Sequence, residues 1–277
     1  MGSAINAGAE QAAFAPALAS WHLLVDDVYE PRTGAYNMAL DHALLEHAQQ
    51  TRECFVRFYR WQPACLSFGR NQPARGLYDP ATAKKLGIEI VRRPTGGMAV
   101  LHDCELTYAV VAPIDVLDGP RAAYAAINRA LVAGLRDLGV AAMLAPESKR
   151  SAFGTMHPCF AEPAAGEVIA EGCKLVGSAQ RCEKRTLLQH GSILLDGMQS
   201  EVAQIAAVPF DLVSRATNLR TLLGFVPEAA HLTAAMASGF EELCGTSLAP
   251  TKLTASVAER AHELIDSYQS PEWTWRK

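Results

Sequence analysis

The sequence predicts an α+β fold, a mixed or antiparallel sheet flanked by helices, and three observations carry that expectation. Strand-like and helical segments follow one another without the regular β–α–β cadence of a parallel sheet. No Gly-x-Gly-x-x-Gly turn follows a strand-like segment, so a doubly wound dinucleotide fold is not expected. Beyond residue 200 the apolar pattern turns helical, which gives the chain a helical C-terminal part.

The elements follow in order. Residues 1–20, "MGSAINAGAEQAAFAPALAS", have neither the basic start nor the unbroken apolar run of a signal peptide. Asn6 breaks the myristoylation pattern that Gly2 would open. These residues are expected to form a loose, flexible tail, leaving residues 21–277 as a single domain. "YNMALDHALLEHAQQ" predicts a helix with Leu40, Leu44 and Ala48 on one face and Asn37 as its cap. "CFVRFYRWQ" and "ACLSFGR" predict strands separated at Gln62-Pro63, and "IEIVRRP" a strand closed by Pro94. "AVLHDCELTYAVVAP" predicts either a hairpin or two linked strands. "GPRAAYAAINRALVAGLRDLG" gives the clearest helical signal. Pro120 suits its first turn, Tyr124, Ile127, Leu131, Leu135 and Leu138 form a stripe, and Gly139 stops it. Near the C-terminus, Leu232, Met236, Phe240 and Leu243 share a helical face, and Ser256 to Glu259 has the form of a capping box. That box would open a last helix through Leu264 and Ile265, with Trp273 and Trp275 covering the core.

Composition excludes several classes. Of 277 residues 49% are apolar and 19% charged, the balance of a folded chain with a sizeable core. A net charge of −4 excludes a nucleic-acid surface working by bulk charge, and no apolar run approaches a membrane span. Seven cysteines, an odd number without a CxxC pair, do not form a disulfide framework, so reduced thiols and a cytoplasmic setting are expected.

Chemistry concentrates between residues 154 and 197. "GEVIAEGCKLVGSA" reads as a hairpin turning at Glu171-Gly172, where Gly supplies the positive φ of a tight turn. On its outgoing strand Cys173 and Leu175 face one way and Lys174 and Val176 the other, so Cys173 cannot share a face with Lys174. Cys159 follows His157-Pro158 on a loop-like stretch, where a thiol is either presented to a cleft or buried as a small apolar group. A zinc site from His157, Cys159, Cys173, Cys182 and His190 would match no common ligand spacing, so no metal is expected. In "RRPTGGMAVLH", Gly96 and Gly97 let backbone N–H groups approach a ligand while Arg92 and Arg93 hold an anion; otherwise it is a tight turn with solvated arginines. His190, in "LLQHGSILL", reads as a hydrogen-bonded strand residue before it reads as a general base.

Four segments together resemble the lipoate-protein ligase and octanoyltransferase superfamily, which shares its catalytic fold with biotin protein ligases. They are "GAYNMALDHALL", "PACLSFGRNQ", "RRPTGGMAVLHDCELTYAVV" and "KLVGSAQRCEKRTLLQHGSILLD", spread over about Trp21 to Gly197. Within it the chain is most similar to the Cys-dependent octanoyl-[acyl carrier protein]:protein N-octanoyltransferases. Their nucleophile stands in an "ACF" triplet, here "PCF", so the resemblance implies Cys159 as nucleophile and Lys174 of "KxxGSA" as its catalytic partner. Arg92, Gly96, Gly97, His102, Gly177, Ser178 and His190 are implied as substrate-binding residues. ATP-using lipoate ligases more often carry three glycines where this chain has Gly96-Gly97-Met98, and many carry a further C-terminal domain.

The resemblance implies the biotin/lipoate ligase catalytic-domain fold and an acyltransferase of lipoate biosynthesis. An octanoyl group would move from octanoyl-acyl carrier protein to Cys159 as a thioester, then to a lysine of a lipoyl domain. Such domains occur in glycine cleavage H-protein and 2-oxoacid dehydrogenase acyltransferase subunits. No cofactor is then required, and neither nucleic acid nor membrane is a partner. Arg92, Arg93, Arg181, Lys184 and Arg185 would guide acidic partners. The alternatives are an ATP-dependent lipoate ligase, an amidotransferase between lipoyl domains, and a non-enzymatic acyl-binding relative.

Overall fold

The computed structural model describes residues 19–146, 164–197, 199–207 and 215–277. Strand β1 (Trp21–Leu24) is followed by a short helix α1 (Asp26–Tyr29) and the long α2 (Gly34–Thr51). Next come β2 (Cys54–Tyr59), β3 (Cys65–Phe68), α3 (Pro80–Lys85), β4 (Glu89–Arg92), β5 (Val100–His102) and β6 (Glu105–Pro113). Helix α4 (Pro120–Asp137) leads to β7 (Ala142–Leu144), β8 (Val168–Ala170), β9 (Cys173–Lys174), β10 (Val176–Glu183) and β11 (Thr186–Leu194). The C-terminal part is helical: α5 (Leu219–Leu223), α6 (Ala229–Cys244), α7 (Ala255–Gln269) and α8 (Pro271–Thr274).

The strands form a five-stranded sheet in the order β1-β2-β6-β11-β10 and two three-stranded sheets, β4-β3-β5 and β7-β8-β9. The large sheet is mixed, because β1 runs parallel to β2 while β6, β11 and β10 pair antiparallel. Period-two alternation divides its residues between two cores. Val56, Phe58, Tyr108 and Val110 pack with Leu131 and Leu135 of α4 and Phe240 of α6. Phe55, Tyr59 and Val111 pack with Leu40 and Leu44 of α2 and Leu264 of α7. The sheet is thus covered by helices on both faces. Among the described residues no helix is long and apolar enough to cross a membrane.

Three local expectations change. Helix α2 is capped by Thr33, whose extended backbone lets its hydroxyl accept the Tyr36 N–H; Asn37 is buried within the helix and donates to the Arg32 and Arg60 carbonyls. Helix α7 starts at Ala255 after Thr254, so Ser256 already lies in its first turn and the Ser256–Glu259 box cannot form. Of the two readings of "AVLHDCELTYAVVAP", two linked strands form, β5 pairing with β3 and β6 with β2 and β11. The hairpin at Glu171-Gly172 forms in the expected register, with Ala170 opposite Cys173 and Ile169 opposite Lys174. Both turn residues have positive φ (51° and 74°), the two-residue geometry whose twist matches the flanking strands. Trp275 packs against Phe68, and Trp273 donates to the Arg92 carbonyl.

Candidate active site

A small cavity is walled by the large sheet and the β4-β3-β5 sheet, with a mostly carbon surface. Strand β10 contributes Gly177, Ser178 and Ala179, and β11 contributes His190, Gly191 and Ser192. These strands approach closely at one point: a Cβ on Gly191 would stand 2.1 Å from the Gly177 carbonyl oxygen, so only glycine fits there. Ser67 of β3 and Val100 and His102 of β5 close the opposite side, with Met38, Trp61 and Arg93 between.

The "RRPTGG" stretch divides its arginines between two tasks, because adjacent residues of a strand face opposite ways. Arg93 lines the cavity and clamps the glycine turn, donating to the carbonyls of Ser67 (2.9 Å), Gly96 (2.8 Å) and Met98 (2.7 Å). Arg92 does not line the cavity. Its guanidinium is buried on the carbonyls of Gly69, Gln72 and Thr274, fastening α8 to the loop after β3. Burial, with Arg276 and Arg93 nearby, lowers its pKa to about 10. Gly96 and Gly97 form the turn that Arg93 holds and are not cavity-lining residues themselves. Gly97 has φ +89°, and its carbonyl presses so closely on Gly69 that a Cβ there would lie 1.8 Å away.

Both cavity histidines are fixed by carboxylates. His102 Nε2 meets the Ser67 hydroxyl at 2.8 Å, Nδ1 meets Glu105 at 2.9 Å, and the ring stacks on Trp61 with centroids 3.9 Å apart. His190 Nδ1 lies 2.8 Å from Asp41, and Nε2 lies 2.6 Å from the Thr95 hydroxyl. Asp41, fully buried on α2, also accepts from Arg57 (2.7 Å) and Tyr59 (2.9 Å). Burial alone would raise the Asp41 pKa, but the His190 and Arg57 contacts outweigh it and hold it below the usual range. Burial lowers the His190 pKa despite Asp41, so the ring is neutral, donating from Nδ1 to the carboxylate and accepting from Thr95. Burial lowers His42 likewise.

These shifts set a pH dependence. Below pH ~6.5 the unfolded chain takes up protons that buried His190 and His42 refuse, so stability is full above that value and declines beneath it. Asp41 adds a second loss, because its contribution is complete above the unfolded value of ~3.9 and disappears as pH falls through the lower folded value. Urea unfolding midpoints should be level from pH 8 to ~6.5 and then fall; a level profile down to pH 5 contradicts the neutral, buried histidines.

Lys174 does not line the cavity. Its side chain is 2% exposed, and Nζ donates to Glu167 Oε1 at 2.7 Å. The other oxygen of Glu167 accepts the Ala164 N–H at 2.7 Å. One carboxylate therefore joins the ammonium to the point where the described chain resumes after residue 163. A polar chain runs from there to the cavity wall. Asn128 of α4 donates to the Gly166 carbonyl (2.8 Å) and lies 3.4 Å from the Ser178 hydroxyl, which in turn meets Tyr108 at 2.7 Å. Cys159 lies outside the described residues, as does His157. Among the described residues no group of three or more His, Cys, Asp or Glu could hold a metal ion.

The described thiols differ in reactivity. Burial pushes Cys54 and Cys244 up to about 12 and Cys65 well above its ordinary value, whereas Cys104 and Cys182 are exposed. Native protein treated with iodoacetamide at pH 7.5 should be alkylated at Cys104 and Cys182 and spared at Cys54, Cys65 and Cys244. Labelling of the last three in folded protein contradicts the packing.

Sequence reasoning did not find Glu167 or Asp41. Each left a signal. The hairpin register makes Glu167 the diagonal cross-strand neighbour of Lys174. Asn37 and Asp41 are polar residues four apart, in line with Leu44, Leu45 and Ala48 of the apolar face of α2, which places both on that buried face.

Residues 33–241 match the family model described as the lipoyl protein ligase A/B catalytic domain. An octanoyltransferase LipM of Kyrpidia tusciae is 38% identical over 262 residues, covering 88% of this chain and 96% of the relative. The octanoyltransferase LipM of Moorella thermoacetica is 35% identical (93% and 98% covered), and that of Bacillus subtilis 33% (88% and 94%). Among solved structures, lipoate-protein ligase A bound with ATP aligns with TM-score 0.75 at 25% identity, covering 93% of this chain and 98% of that one. Protein Ta0514 of T. acidophilum with bound lipoic acid aligns with TM-score 0.74 at 24% identity, covering 94% and 99%. These alignments show the α+β lipoate-ligase fold.

Proposed function

The chain belongs to the lipoyl protein ligase A/B catalytic-domain family, and from that premise we propose how it works as an octanoyltransferase: through a thioester on Cys159. The observation that carries the reading is the buried Lys174 ammonium, bound to the same Glu167 carboxylate as the Ala164 amide. Cys159 stands five positions before Ala164 in the sequence, so at most ~18 Å of extended chain separates the two.

In the first step the Cys159 thiolate attacks the carbonyl carbon of an octanoyl thioester on acyl carrier protein. A new C–S bond forms, the carrier's C–S bond breaks, and the released thiolate takes up a proton. In the second step the neutral ε-amine of a lipoyl-domain lysine attacks the enzyme thioester, an amide forms, the amine proton is lost and the Cys159 sulfur leaves. Exchange between thioesters is nearly thermoneutral, whereas thioester to amide runs downhill, so no ATP enters.

Lys174 supplies positive charge to the thiolate and a donor to the oxyanion that develops on the carbonyl oxygen. The cavity receives the octanoyl chain, whose six methylenes contribute about 5 kcal/mol when buried. Gly177, Ser178, His190 and His102 shape and orient that site. His102, held by Glu105 and pressed on Trp61, is suited to accept the amine proton through Nε2. Arg93 keeps the Gly96-Gly97 turn, and with it the cavity rim, in place. The catalytic unit is taken as one domain over 21–277, acting in the cytoplasm with a carrier-bound donor and a lipoyl-domain acceptor.

A transfer assay tests this reading. Purified protein, octanoyl-acyl carrier protein and a lipoyl domain are mixed with and without ATP, and the domain is weighed. Equal octanoylation in both is expected. Transfer from free octanoate that depends on ATP, with none from the thioester, contradicts it and favours a ligase.

A further inference from the structure

A second hollow lies on the same face of β6 and β11 as the acyl cavity. Thr107 and Ser192 stand opposite each other and line the cavity. Glu105 and Leu194, the next facing pair, about 7 Å along the strands, line the hollow. Asp103, Asp196 and Glu201 complete its polar wall, and among the described residues no lysine or arginine lines it.

The Gln199 side chain exchanges two hydrogen bonds with the Leu101 backbone, at 3.0 and 2.7 Å, which fastens the segment bearing Glu201 to β5. Asp196 pairs with Arg220, so its charge is compensated. Asp103 and Glu201 have no ion-pair partner among the described residues. After burial, the charges of Asp103, Asp196 and Glu201 all raise the Cys104 thiol, so these carboxylates gather around one sulfur.

Glu105 provides the second observation. It is 1% exposed, and its Oε1 meets His102 Nδ1 at 2.9 Å and accepts the Thr107 hydroxyl, both residues of the cavity. Its Oε2 is buried with no hydrogen-bond partner among the described residues. With Oε1 committed to the cavity residues, Oε2 is the oxygen left to the hollow. A buried acceptor without a donor costs stability, which a charged donor entering the hollow would restore. The carboxylates do not converge as metal ligands do, so an organic ammonium is the cation they match.

We propose that this hollow receives the ε-ammonium of the acceptor lysine, with Glu105 Oε2 as its seat and Asp103 and Glu201 guiding it in. The inference rests on the thioester-transfer reading above, in which that lysine must come beside His102 to discharge the acyl group.

Discharge of protein preloaded with octanoyl on Cys159 tests it. Asp103→Asn combined with Glu201→Gln should raise the KM for a lipoyl domain about tenfold at low salt and less at high salt. Glu105→Gln should raise the same KM by a similar factor at either ionic strength, because a buried charge is little screened. Loading by octanoyl-acyl carrier protein, and discharge by neutral hydroxylamine, should keep the parent's rates in the Asp103→Asn, Glu201→Gln protein. An unchanged KM in both variants overturns the site. So does an equal fall in hydroxylamine discharge by the double variant, which would mark a structural defect instead. Failure of the thioester reading looks different: the unsubstituted protein would never load.

Discussion

Cys159→Ala is expected to lower octanoyl transfer by about 10⁴-fold or more, while Cys159→Ser behaves almost as badly. The reason is the nucleophile itself. A thiol ionises near pH ~8.5 and is drawn lower by a neighbouring cation, whereas a serine hydroxyl stays protonated and exchanges poorly with thioesters. Residual transfer would come from the cavity and oxyanion donors, which still align donor and acceptor. Far-UV circular dichroism and the urea midpoint should match the parent, so that the loss of transfer is read as loss of the nucleophile. Initial rates against octanoyl-carrier concentration check the expectation; a fall of less than tenfold would remove Cys159 from the chemistry.

Lys174→Met should reduce transfer by about 10²–10³-fold, the usual effect of deleting one donor to a developing oxyanion. It should also destabilise the fold by about 3–5 kcal/mol, since Glu167 would remain buried without the ammonium that neutralises it. The two effects separate in a second variant. Lys174→Met with Glu167→Gln removes both charges, so most of the stability should return while transfer stays low. If activity returns together with stability, Lys174 is only a packing residue.

The architecture was legible where local chemistry decides it. The Glu171-Gly172 turn fixed its own hairpin register, because two successive positive φ angles are needed there and the flanking residues alternate. Helix α4 could be read from its stripe between Pro120 and Gly139. The four quoted segments carried the family, and with it the fold. What local pattern could not say is which sheet a strand joins. Strands β5 and β6 are linked by Asp103 and Cys104 alone, yet belong to different sheets, a choice made by long-range pairing with β3 and β11.

The candidate site shows the same division. Alternation requires Arg92 and Arg93 to face opposite ways, but only the surrounding sheet decides that Arg93 meets the cavity and Arg92 the C-terminal helix. His190 was read as a strand residue with a hydrogen-bond partner; its partner, Asp41, lies 149 positions away, beyond the reach of any local pattern. Thr33 took the cap of α2 from Asn37 because the buried Asn37 amide was committed to carbonyls of the preceding loop and β2's end.

Intact-mass spectrometry after brief mixing with octanoyl-acyl carrier protein, in the absence of ATP and acceptor, tests the thioester intermediate most directly. The account predicts one octanoyl group per chain, removed by neutral hydroxylamine, mapped to the peptide containing Cys159 and discharged when a lipoyl domain is added. Undiminished transfer with no such adduct, or an adduct that persists in Cys159→Ala, would contradict it.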